Sequence, residues 1–239
     1  MATRHARQVL VPVDFSDASA RAVAIAGAIA RQWPARLQLI HAETFEAPAY
    51  FTHEQIETLA AERRELRRQA ADYLATFGRV HTATPFEVSI ETESPTAAIL
   101  ARSAGADLVV MGTHGRRGPS RWWLGSVAER VLREIDRPLL VVHADDSSAG
   151  LFDRVQVSAE PPLAGTAAIG LAAELAAPAG GHVVDRRGRR LGPEDEADAP
   201  LIVVAIPPVH AASARLRFGL SRVRRQAGPV LFVPEEENS

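Results

Sequence analysis

The stretch from Leu108 to His143, LVVMGTHGRRGPSRWWLGSVAERVLREIDRPLLVVH, constrains this chain more than any other. Leu108 to Met111 are apolar without alternation, the pattern of a strand buried on both faces. Glycines follow at Gly112, Gly115 and Gly125, and Ser126 comes directly after the last. Val127, Val131, Leu132 and Ile135 then recur at helical spacing. Pro138 lies just past the helix end, and Leu139 to Val142 form a second apolar strand. Strand, glycine-rich loop, helix and strand therefore succeed one another.

A glycine-rich turn between a strand and a helix lets backbone N–H groups approach an anion closely. Unpaired donors and the helix dipole favour negative charge there. Gly112 and Gly115 permit close approach or positive φ. Gly125 and Ser126 stand where the helix begins, and the Ser126 hydroxyl can cap it or donate to a phosphate oxygen. The spacing is not that of a Walker loop, and all 27 basic residues are arginines. A chain without lysine is excluded from P-loop, kinase-type and Schiff-base chemistry.

MGTHGRRG, followed by LGSVAERVL and RPLLVV, resembles the nucleotide-binding signature of the universal stress protein family, with the family's spacing across loop, helix and both strands. The resemblance implies an α/β fold with a doubly wound parallel five-stranded sheet in the order 3-2-1-4-5. It implies an adenine nucleotide, ATP or else AMP or ADP, accompanied by Mg2+. Carried over residue by residue, it implies contacts from Pro12, Val13, Asp14, Ala42, Met111, Gly112, His114, Gly115, Arg116, Gly125, Ser126 and Val127. Ala42 departs from the family's commoner valine, but a backbone contact to adenine survives that change. Arg117 and Pro119 stand where the family often carries Thr and Leu. The family also pairs chains through strand five, so a homodimer is implied, with a regulatory or stress role rather than a metabolic reaction.

Read in order, the chain supports that fold. Val9 to Val13 is a first strand ending at Asp14; Ser16, Asp17 and Ser19 offer N-caps to an alanine-rich helix reaching about Trp33. Leu37 to Ala42 is a second strand. Thr52 and Gln55 make a capping box for a long helix to about Phe77, with Gly78 just beyond. Phe86, Val88 and Ile90 alternate as a third strand, and Ser94-Pro95 opens a short helix ending near Gly105. Alternating strands and helices build a parallel sheet covered on both faces. In such a sheet the ligand sits at the strands' carboxyl ends where the order reverses. That point lies between Asp14 and Gly112.

The expected domain organisation is a nucleotide-binding domain at 1–143, a linker at 144–150 and a shortened copy of the same fold at 151–239. Val155 and Val157 match strand one, and Ala164 to Ala177 its helix. His182 to Val184 is a short strand. Leu201 to Ile206 matches strand four, Ser213 to Gln226 the helix after it, and Val230 to Val233 strand five. Ser158 stands in for Asp14, and Ile206 and Val209 for Gly112 and Gly115. Pro207 and Pro208 remove backbone donors. The second half is thus expected to keep the sheet without the site, and to pack on the first as a pseudo-dimer.

Single residues leave alternatives open. Asp14 caps a helix or holds a ribose, an adenine-side group or a phosphate-bound metal. Arg116 and Arg117 screen phosphate or are solvated. Trp122 and Trp123 cover the loop, meet a partner or stack on a base. The eight histidines show no ligand spacing, and only His114 falls near the expected ligand. The interleaved Glu and Arg of AERRELRRQA read as a solvated helix face. With a net charge of −2, no broad attraction to nucleic acid or membrane is expected. Absent cysteine excludes disulfides and thiolate sites. No apolar run is long enough to span a bilayer, and no secretory leader is visible, so a cytoplasmic location is expected. Two rival functions remain: a nucleotide-hydrolysing or nucleotidyl-transferring α/β enzyme, and a ligand-free interaction scaffold.

Overall fold

A computed structural model describes residues 7–44, 53–113, 124–159, 163–187, 200–209 and 228–235; the side chains of 53–61 fall outside this description. The first strand, β1 (Arg7–Pro12), leads into α1 (Asp17–Gln32). Ser16 is the N-cap, and its hydroxyl accepts from the Ser19 N–H at 3.2 Å. The helix turns Ala22, Val23, Ile25, Ala26 and Ile29 onto the sheet, all fully buried. β2 (Ala35–Ala42), α2 (His53–His81), β3 (Phe86–Glu91) and α3 (Pro95–Ser103) follow. β4 (Leu108–Gly112), α4 (Ser126–Glu134) and β5 (Leu139–Val142) complete the first set. The second set is β6 (Arg154–Ser158), α5 (Thr166–Ala176), β7 (His182–Asp185), β8 (Leu201–Ile206) and β9 (Val230–Pro234).

All nine strands form one sheet in the order β3-β2-β1-β4-β5-β9-β8-β6-β7. The first five are parallel in the order expected from the sequence. β6, β7, β8 and β9 are parallel among themselves, and only β5 and β9 meet antiparallel. Leu10, Val109 and Leu139 lie in one row across β1, β4 and β5. Gln156, Ile202 and Val230 make a row across β6, β8 and β9. Leu140 and Leu231 face each other at the centre of the β5–β9 pair. One core face runs without a break from Val9 through Val142 to Val233. The other gathers Leu10, Val109, Leu132, Val141, Ile202 and Phe232.

Two sequence expectations change. α2 does not stop at Phe77: it continues to His81 with Gly78 inside it. A Cβ at Gly78 would lie 2.4 Å from Phe86 Cζ and 2.7 Å from Leu39 Cδ1. That glycine brings the helix close to β2 and β3 instead of ending it. The sheet faces also change one correspondence between the two sets. Gly112 lies against Ala18 of α1, whereas Ile206 belongs to the opposite core face, so Ile206 does not take the place of Gly112. Thr52 of the expected capping box, and the expected helix at 213–226, lie outside the described residues.

Candidate functional site

β1 and β4 are neighbours, and the chain leaves them in opposite directions, so their carboxyl ends open a cleft between α1, α3 and α4. Its volume is about 230 Å3. Of the residues singled out from the sequence, Pro12, Val13, Asp14, Ala42, Met111, Gly112, Gly125, Ser126 and Val127 all line it. His114, Gly115 and Arg116, together with Arg117, Trp122 and Trp123, lie outside the described residues.

The floor is apolar: Ile40 from β2, Ile99 from α3 and Met111 from β4. Gly112 lies flush against α1. A Cβ there would sit 2.8 Å from the Ala18 Cβ and 2.9 Å from the Ala18 carbonyl carbon. Close approach is therefore the reason for this glycine, and no positive φ is involved. Beyond it, the Thr113 N–H donates to the Val142 carbonyl at 2.8 Å, and the Gly125 N–H to the Thr113 carbonyl at 2.6 Å. These bonds carry the chain back to the start of α4.

Ser126 does not cap α4. The N-cap is Gly125, at φ −61° and ψ 156°, which makes no side-chain cap hydrogen bond. Ser126 is the first helical residue and is exposed. Among the described residues the leading N–H groups of α4 thus have no side-chain cap at the cleft, which favours an anion.

Asp14 ends β1 on the other wall and is the only carboxylate among the described lining residues. Its Oδ1 accepts from the Ser16 N–H at 3.1 Å and the Ser16 Oγ–H at 2.6 Å. The carboxylate thereby holds the residue that caps α1, while remaining exposed. Between them stands Phe15 at φ 61°, the one non-glycine residue in the left-handed region among those described. That conformation costs an L-residue roughly 1–2 kcal/mol.

His41 corrects a sequence expectation: it too lines the cleft, whereas only His114 was placed there. Its Nδ1–H donates to the Val13 carbonyl at 2.7 Å. Ser19, Pro95, Ile99, Thr113 and Ala128 also line the cleft without having been singled out. Ser94-Pro95 announces a helix start in the sequence, but the side of the sheet on which that helix lies is settled by packing alone. Among the described residues no group of three or more His, Asp or Glu side chains could hold a metal ion. No described helix is long and apolar enough to cross a membrane.

The model of the universal stress protein family matches residues 5–143. A universal stress protein of Methanocaldococcus jannaschii is 32% identical over 146 residues, covering 57% of this chain and 81% of that protein. One from Thermus aquaticus is 34% identical over 139 residues, 57% of this chain and 98% of its own length. One from Mycobacterium bovis is 31% identical over 137 residues, but that match spans only 44% of its length. Among solved structures, a universal stress protein from Archaeoglobus fulgidus shares the fold across nearly the whole molecule. The TM-score is 0.57 at 17% identity, covering 98% of this chain and 100% of that one. With most of its length matched and its cleft where the signature lies, the chain belongs to the universal stress protein family.

Proposed function

We propose that this protein binds one adenine nucleotide, ATP or its AMP and ADP relatives, in the cleft between β1 and β4, and acts as a regulatory nucleotide-binding protein. The observation that carries the reading is the start of α4, uncapped by any described side chain, beside the apolar slot of Ile40, Ile99 and Met111. A planar apolar base fits the slot, and phosphate suits the helix start. Ala42, at the end of β2, offers backbone groups to the base edge. Mg2+ commonly binds through phosphate oxygens, water and one or two carboxylates, and Asp14 is the carboxylate at hand.

Binding without turnover follows from the same residues. Phosphoryl transfer needs a positioned nucleophile and charge neutralisation at the γ-phosphate. The chain has no lysine. Asp14 is already engaged in holding Ser16. Residues 151–239 form, in this reading, a reduced copy without a site. Pro207 and Pro208 follow β8 where the glycine-rich stretch follows β4, and proline has no N–H to offer.

The test is calorimetric titration of the whole chain with ATP and Mg2+, paired with single-turnover hydrolysis. One site per chain and slow or undetectable hydrolysis are expected. Two equivalent sites would overturn the single-site reading. Turnover on the order of 1–10³ per second, lost in Ser126→Ala or Asp14→Asn, would make the protein an enzyme.

A further inference from the structure

Resting on that reading of the cleft, we infer that His41 is a positioning residue for Asp14: its ring braces the Val13–Phe15 turn from behind the cleft wall and sets where the carboxylate meets the nucleotide. The alternation of β2 carries the first step. Leu39 belongs to the core under α1 and α2, and Ile40 to the opposite face. His41 therefore projects toward the α1–α2 side. Its ring contacts agree: the Phe15 centroid lies 4.6 Å away, and Phe15 in turn meets Tyr73 at 4.7 Å and Phe77 at 5.3 Å, both on α2. His41, which lines the cleft, thus meets the turn through its ring.

The second step is the hydrogen bond. A carbonyl only accepts, so the 2.7 Å contact with Val13 requires the proton on His41 Nδ1. The Val13 N–H is bonded to the Ile40 carbonyl at 2.8 Å, so both backbone groups of Val13 are held by β2. One residue on, Asp14 reaches Ser16 through two hydrogen bonds. The left-handed Phe15 between them is held by its ring. The Asp14–Ser16 bonds span that residue, and the bond to Val13 and the tilted contact with the His41 ring hold it from below.

The donor separates a brace from mere bulk. Asn places its amide nitrogen close to where His carries Nδ1, so His41→Asn keeps the bond and His41→Ala removes it. On the nucleotide-free chain, hydrogen exchange of the Ser16 amide should speed up roughly tenfold in His41→Ala, as expected for a lost hydrogen bond, and return most of the way in His41→Asn. ATP affinity, measured by calorimetry, should fall roughly tenfold in His41→Ala and recover in His41→Asn. In an Asp14→Asn background the further His41→Ala substitution should change affinity little, since the brace acts through Asp14. Unchanged Ser16 exchange in His41→Ala, a His41→Asn variant as impaired as His41→Ala, or losses that add in the double variant would each overturn the inference. Absent ATP binding by the unaltered chain would overturn the functional reading, and the exchange measurement would still decide the brace.

Discussion

Two glycines at the cleft are required for different reasons, and substitution should tell them apart. Gly112 has no room for a side chain, because Ala18 of α1 occupies the place of its Cβ. Gly112→Val should therefore destabilise the fold by about 1–3 kcal/mol, the usual range for overpacking, as measured by urea denaturation. Gly125 has φ −61° and ψ 156°, a conformation valine adopts without strain. Gly125→Val should change stability by no more than about 1 kcal/mol, the scale of an N-cap preference. Its branched side chain would instead crowd the first N–H groups of α4, and ATP affinity should drop sharply. Equal losses of stability in the two variants would contradict this division.

At the scale of elements, α2 combines two kinds of face. Leu74 and Gly78 are buried against the sheet, while Leu66, Tyr73 and Val80 are exposed. Glu65 and Arg68, three residues apart, bond through both carboxylate oxygens, and Asp72 takes the other side of Arg68 at 3.1 Å. The Arg68 guanidinium, with the Gln69 amide, pulls the Glu65 carboxyl from 4.5 down to about 2. A folded value below the unfolded one means that the pairing stabilises above the unfolded value and fades as pH falls toward about 2. Because the pair is fully solvated, its effect on global stability is small. A carboxyl-detected NMR titration should place Glu65 near 2 in the whole chain and near the ordinary glutamate value in Arg68→Ala. An ordinary value in both would show that the pair does not persist in solution.

Over the whole molecule, β9 covers the edge of β5. The contact is antiparallel and centred on Leu140 opposite Leu231. That is the geometry two copies of one strand adopt across a two-fold axis. β5 is therefore not free to pair a second whole chain, and a homodimer of whole chains would have to use another surface. Cutting the chain after His143 uncovers four fully apolar, buried residues at a sheet edge. The fragment 1–143 should associate in pairs by light scattering, while Leu140→Arg in that fragment should keep it monomeric. A monomeric unsubstituted fragment would sink the idea. Because one core face runs through both sets of strands, the whole chain should unfold in a single transition.

The first five strands were legible in the residues alone, while their order and most of the residues expected at the cleft were implied by the family resemblance. Buried strands, glycine-bounded turns and helix caps are local signals, and the switch point between strands one and four follows from the alternation of strand and helix. Asp14 and Gly112 could be brought together on that basis despite their separation in sequence. The corrections came wherever the outcome depended on what lies across the gap. Gly78 reads as a helix stop until Phe86 and Leu39 are seen against it. Ser126 reads as a cap or a phosphate donor, and only the helix start, with Gly125 as N-cap and Ser126 as first helical residue, removes the capping role. His41 has no motif, and becomes part of the cleft only because β2 lies beside β1 and places its ring under Val13 and Phe15. Which face of the sheet Gly112 and Ile206 occupy was decided by strand register, which hydrogen bonds between distant segments set. Local propensity leaves that register open by a residue, and a shift of one residue changes which residue stands at the mouth of a site.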